Sequence, residues 1–210
     1  MKKVLSLVAT LAALAGTATA APYYLPQPAG GALTPYDVQP VYSLEGLYNF
    51  VDNAPDTAGA RLSLSLYSNA ASTVRHQFSL NAAYEYGSGN QSWDIYKAKL
   101  SSERSPITLG YDVNIALSDS VLLDLGVKAG YAFGMHEVKY KEPEIYDGYK
   151  RHEHMAGFTY NLGAGIKVVL SEAITVKLGY EFGRTYYRNY GTQSFTSNQH
   201  SIVAGVGVLF

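Results

Sequence analysis

The chain has 210 residues, with 16 lysines and arginines against 17 aspartates and glutamates, and no cysteine. A net charge of -1 excludes the basic surface that nucleic-acid binding needs, and the missing cysteines exclude a disulfide framework. After the first twenty residues no run approaches 18 consecutive apolar residues, so no transmembrane helix is expected.

Residues 1–20, MKKVLSLVATLAALAGTATA, carry two lysines, an apolar run and the small-residue end Ala18-Thr19-Ala20. This predicts an export signal peptide cleaved before Ala21. Cleavage removes Lys2 and Lys3 and takes the net charge from -1 to -3. Residues 21–40 hold five of the eight prolines and predict an extended, Pro-rich lead-in on the periplasmic side.

From Val41 onward the period is two, a strand signal. Eight runs follow: 41–51, 60–68, 75–86, 107–117, 121–133, 155–170, 174–184 and 200–210, none with a proline. Short connections at 69–74, 118–120 and 171–173 lie at one end. At the other end lie 52–59 and three long connections, 87–106, 134–154 and 185–199. Alternating short turns and long loops fit an antiparallel up-and-down barrel that crosses an outer membrane. A hairpin repeat, TLGYDVNIALSDSVLLDLGVKAGY against NLGAGIKVVLSEAITVKLGYEFGR, supports consecutive hairpins.

Alternation alone leaves open which face points inward. On the parity of Phe210 the runs are apolar, for example Leu62, Leu64 and Leu66 or Leu123, Leu125 and Val127, with no charge until strand ends such as Arg184. A Lys or Arg facing lipid at the midplane costs about 2–4 kcal/mol, so this face is expected to point outward. Aromatics gather at one level of it: Tyr48, Phe50, Tyr84, Tyr86, Tyr131, Phe133, Phe158, Tyr160, Tyr180 and Phe182. They predict an aromatic girdle beneath the long loops. The opposite parity carries Glu45, Arg61, Asp112, Asp124, Lys128, Lys167, Lys177 and Glu181, with Glu85 nearer the rim, among serines and glycines. An eight-strand interior is only wide enough for side chains, so these eight charges predict an ion-pair network filling it. Lys167 and Lys177 are expected to oppose each other, which requires Asp124 or Glu45 between them.

Signal peptide, eight amphipathic strands and the terminal IVAGVGVLF resemble the small outer-membrane barrels of the OmpA/OmpX and opacity-protein type, over about 41–210. The resemblance implies an all-β, eight-stranded transmembrane barrel in the bacterial outer membrane. It also implies that Ile202, Ala204, Val206, Val208 and Phe210 signal to the barrel-assembly machinery. With the barrel at the end of the sequence, no peptidoglycan-binding domain is expected.

Lipid-modifying enzymes occur on such barrels, and a deacylase-like site needs His and Ser two apart on one face. Here His200 and Ser201 are adjacent and fall on opposite faces, and no His-x-Ser occurs; no catalytic residue is expected. His152 and His154 could bind a metal only with help, for instance from His136; solvated histidines are the expectation, with no metal and no cofactor. The outer loops are rich in tyrosine, which gives contact area at low entropy cost. The function expected is a non-enzymatic barrel with structural and surface-contact, including adhesive, roles. Its partners would be outer-membrane lipids and lipopolysaccharide, and a surface protein or glycan. The alternative is a narrow channel for ions or small solutes, and after it a lipid-modifying enzyme.

Overall fold

Period-two patterning becomes eight antiparallel strands that close on themselves in sequence order. They are β1 (Val38–Val51), β2 (Thr57–Ser68), β3 (Val74–Trp93), β4 (Tyr96–Ala116), β5 (Val121–Lys141), β6 (Lys150–Val169), β7 (Ile174–Asn189) and β8 (Ser194–Leu209). The computed structural model describes residues 38–52, 54–68, 74–93, 96–141, 150–171, 173–189 and 194–209. The expected signal peptide, the lead-in up to residue 37 and Phe210 lie outside the described residues.

The register fixes the shape. Following pairing partners once around the ring leads from Val41 through Ser65, Ser79, Gly110, Lys128, Asn161, Gly183 and Gln199 back to β1 at Val51. Closure therefore staggers the ring by ten residues. With roughly 3.3 Å per residue and 4.8 Å between strands, that stagger tilts the strands by about 41° and gives about 2.5 Å of height per residue.

The strands outrun the expected runs at the end of the long connections, here called the upper end. β3 to β6 have 20 or 21 residues each, about twice the 9–11 that span a bilayer. The expected loops 87–106, 134–154 and 185–199 are thus largely strand. From Phe133 to Lys141, β5 continues eight residues paired with β4 and then β6, a rise of about 20 Å. Hydrogen-bonded ladders continue through these ribbons while the outward parity, apolar below, turns polar, as at Glu137 and Lys139 of β5.

Two prolines lie inside strands, contrary to expectation. Pro40 falls in the first three residues of β1, at the start of the strand, where a proline is tolerated. Pro106 faces inward and is buried. The β3–β4 ladder lapses between Ala82↔Ile107 and Glu85↔Arg104, where Pro106 has no N–H to give.

Parity sorts the side chains. Outward positions are apolar and exposed, such as Leu62 at 64%, Leu109 at 69% and Leu178 at 62%. Inward positions are polar and buried: Asn49, Asn81, Asn114, Thr108, Thr159 and Thr185 are each 5% exposed or less. This distribution inverts that of a water-soluble protein, in which large apolar side chains go inside.

Candidate functional site

The candidate site is the lumen, built from side chains that alternate inward along every strand. Glu45 on β1 stands directly opposite Arg61 on β2, and the guanidinium Nε donates to Glu45 Oε2 at 2.5 Å. The other arms of Arg61 reach across to β7 and donate to both Glu181 oxygens at 2.8 and 2.7 Å. Lys128 Nζ on β5 adds a bond to Glu181 Oε1 at 2.6 Å. These four residues form one charge-neutral cluster, and all are 6% exposed or less. A bidentate guanidinium–carboxylate fork is the strongest form of such pairing.

A second cluster lies nearer the short turns. Lys167 on β6 is directly opposite Lys177 on β7, and Asp124 on β5 forms an ion pair with each. The distances are 3.0 Å to Lys167 and 2.5 Å to Lys177. Lys177 also lies 3.9 Å from Glu45, which links the two clusters. Lys167 gives its remaining donors to Gln77 at 2.9 Å and Asn114 at 2.7 Å. Asp112 has a different environment. It is 4% exposed, and its Oδ1 has no hydrogen-bond partner. The lysines around it act through their charge rather than through a bond.

Small residues make this crowding possible. A glycine is the cross-strand partner of Glu45, Asp112, Asp124, Lys128, Lys177 and Glu181. A Cβ at Gly126 would sit 2.0 Å from Asp112 Oδ1, and one at Gly205 would sit 2.5 Å from Glu45 Cγ. A cavity of about 60 Å³ lies against the clusters, lined by Glu45, Lys128, Lys167 and Lys177 as well as by Ser65, Arg75 and Gln77. The charged and amide side chains along it offer partners for ordered water, beside the apolar Val41, Leu122 and Val169.

Sequence reasoning missed a third level. Arg104, on the part of β4 expected as loop, lies 3.4 Å from Glu85 and donates to Thr159 and Thr185, each at 2.9 Å. Glu85 also accepts from Gln199 at 3.4 Å. Glu85 is thus part of the buried interior, 3% exposed. Arg104 shares the parity of Asp112, and extending that parity past Pro106 would have found it. Above this level the lumen turns apolar: Ala132, Met155 and Tyr187 form a buried cluster, and the Tyr187 ring lies tilted against Phe195 with centroids 5.1 Å apart.

His136 faces this upper interior, 3.3 Å from Ser102 Oγ and across from Glu153. Burial pushes its pKa below the ordinary imidazole value, and the Glu153 charge offsets part of that. His152 and His154 lie on the other parity and are exposed. The three histidines therefore do not converge, and among the described residues no group of three or more His, Cys, Asp or Glu could hold a metal.

On the outer face, Tyr48, Phe50, Tyr84, Tyr86, Tyr131, Phe133, Phe158 and Tyr180 are each at least 40% exposed; Tyr160 and Phe182 are half-buried. Tyr48 meets Phe50 edge-on at 5.1 Å, and Tyr160 meets Tyr186, which lies in an expected loop, at 6.4 Å. Ile202, Ala204, Val206 and Val208 share this outward parity, whereas Val203 is wholly buried.

In structure the chain is similar to Neisserial surface protein A, at 13% identity and a TM-score of 0.48, covering 83% of this chain and 97% of that one. It is similar to the attachment invasion locus protein Ail of Yersinia pestis, at 10% identity and 0.42, covering 82% and 97%. It is also similar to the N-terminal barrel of Pseudomonas aeruginosa OprF, at 16% identity and 0.39, covering 81% and 97%. No curated protein sequence matches the chain. Residues 4–210 match the outer membrane protein beta-barrel domain family. The apolar exterior, the closed eight-strand ring and this match lead to one conclusion: the chain belongs to that family and is a β-barrel of the bacterial outer membrane.

Proposed function

We propose that this protein is a non-conducting, non-enzymatic outer-membrane barrel that works through its outer ribbons and its lipid-facing wall. The observation that carries the reading is the stack of interactions along the lumen. Asp124 bridges Lys167 and Lys177, Arg61 joins Glu45 to Glu181, and Arg104 lies above them with Glu85. An ion entering this path would have to displace buried, paired charges, and leaving one member unpaired costs about 3–5 kcal/mol. Planar-bilayer recording tests it. The unaltered protein should give no steady conductance, and Lys128→Ala should raise it. A stable conductance from the unaltered protein would favour the channel reading.

The ten outward aromatics form a girdle at the upper lipid interface in this reading. Ile202, Ala204, Val206, Val208 and Phe210 are the contact for the barrel-assembly machinery. The ribbons above the girdle are the contact surface for a protein or glycan on another cell. Replacing residues 137–152 by a tight turn should leave a folded barrel and reduce adhesion; unchanged adhesion would remove these residues from the account. His200 is partly exposed on the outer wall while Ser201 is buried, so the two cannot act as a dyad. Lipid A mass spectra altered by deleting the gene would overturn the non-enzymatic reading.

A further inference from the structure

From the girdle upward the outer wall is uneven in charge. On the β4–β5 side, outward acids are matched by lysine: Glu137 lies 3.1 Å from Lys139. On β6, β7 and β8 the outward parity carries Arg184, and further out Arg188, His154 and His152, with no acid among the described residues of these three strands at that parity. Acids flank this wall on both sides, Glu137 of β5 lying 3.9 Å from His152 and Asp52 beyond β1 accepting from Asn198, the ladder partner of Arg184. Glu153 and Glu181 share the inward parity.

Arg184 is the deepest of these cations. It is paired in the ladder with Tyr160, and its guanidinium lies 5.2 Å from the ring centroid of Tyr186. That ring holds the guanidinium in one place, while Nε is buried with no hydrogen-bond partner. With Nε buried, the two Nη groups are the donors a phosphate can reach, and a guanidinium held against a ring can grip one with two bonds. Arg188 follows four residues further out, across from Ala156, and His154 is its diagonal neighbour on β6. Phe158 and Tyr186, a directly opposed pair, supply an apolar floor between the two arginines.

We infer that this β6–β7 wall is the seat of one phosphorylated glycolipid of the outer leaflet. Arg184 takes a phosphate at the edge of the hydrocarbon, Arg188 and His154 hold headgroup anions further out, and Phe158 and Tyr186 pack against the sugar and the first methylenes. Depth selects this occupant. Arg184 sits among the girdle tyrosines, a level that a water-soluble acidic segment does not enter. The inference rests on the proposed lipid-facing girdle and names the partner of that wall; it does not depend on whether the lumen conducts.

The test uses the full chain, folded in phosphatidylcholine nanodiscs, with a phosphorylated rough lipopolysaccharide as probe and native mass spectrometry as readout. The unaltered protein should retain one glycolipid. Removing the phosphates from the probe should weaken retention about tenfold or more, as should the double variant Arg184→Gln/Arg188→Gln. The control variant Lys99→Gln/Lys139→Gln, on the adjoining β4–β5 wall, should stay within about twofold. Excess inorganic phosphate should not displace the glycolipid, because the apolar floor contributes to the seat. Equal retention by the arginine variant, equal loss in the lysine control, or indifference to the phosphates would overturn the site. Displacement by inorganic phosphate would overturn the glycolipid as occupant. Folding of each variant is read from its heat-dependent gel mobility; should the arginine variant not fold, the dephosphorylated probe on the unaltered chain decides. Loss of the whole girdle reading would show separately, as a barrel that fails to enter the nanodisc.

Discussion

Arg61 offers the sharpest energetic test of the lumen. Replacing it with methionine keeps most of the stem but removes the bonds to Glu45 at 2.5 Å and to Glu181 at 2.8 and 2.7 Å. Glu181 keeps Lys128 at 2.6 Å. Glu45 keeps only Lys177 at 3.9 Å, beyond hydrogen-bond reach, and is left as a buried charge without a bonded cation. Arg61→Met should therefore destabilise the barrel by about 3–5 kcal/mol. Glu45→Gln alone should cost less, about 1–3 kcal/mol, because Arg61 retains its fork on Glu181. The double variant no longer strands Glu45, so its cost should fall below the sum of the two by about 2 kcal/mol. Urea titration of folding into lipid vesicles, followed by circular dichroism, measures all three. Additivity within about 0.5 kcal/mol would show that the two side chains do not depend on each other and would refute the reasoning.

Other consequences are independent of that pair. Leu125→Arg places a charge on the outer wall near mid-depth and should cost about 2–4 kcal/mol in the same titration. Gly130→Ala should cost about 1–3 kcal/mol, because its Cβ would lie 2.1 Å from the Ile107 carbonyl oxygen. Gly89→Ala, whose nearest new contact is 3.5 Å, should be nearly neutral. His136 gives a pH signature. Burial lowers its pKa from 6.5, so the folded state binds fewer protons than the unfolded chain as pH falls below about 6.5. Stability is then full above that pH and declines below it, by up to about 1.4 kcal/mol per pH unit. His136→Gln should remove that slope between pH 7 and 5; an unchanged slope would clear His136 of the role. Glu137, whose pKa is lowered from 4.5 chiefly by its hydrogen bond from Lys139, contributes stability that is lost only at pH values below about 4.5.

How far the residues alone reveal this molecule depends on what holds each part. Where a strand has one apolar and one polar face, period two is readable, and Leu123, Asp124, Leu125, Val127 and Lys128 place β5 without coordinates. The Lys167–Asp124–Lys177 bridge was legible as a requirement, because two opposed lysines in a narrow interior need an anion between them. The contacts of Lys167 with Gln77 and Asn114 were not legible. They cross the barrel, and the ten-residue stagger that aligns them is a property of ring closure. Above the girdle the polarity of the two parities reverses: Glu137, Lys139 and Lys141 take the parity of Phe133, and Val138 and Tyr140 the other, so an apolar-outside rule stops reading β5 although its ladders continue. Pro106 adds a false strand end, and behind it Arg104 and its partners were hidden. Arg75 has the inward parity on β3 and lines the cavity, a placement its position in the alternation already implies.

The partition of side chains between lipid and lumen is tested most directly by spin labels placed singly at positions 121 to 133 of β5, with collision rates measured for oxygen and for a water-soluble nickel complex. Labels at Leu123, Leu125, Val127 and Tyr131 should collide freely with oxygen, and those at Leu122, Asp124, Lys128 and Ala132 with neither reagent. Higher oxygen collision at Asp124 and Lys128 than at Leu125 and Val127 would contradict the account, because it would put the charged side chains against hydrocarbon.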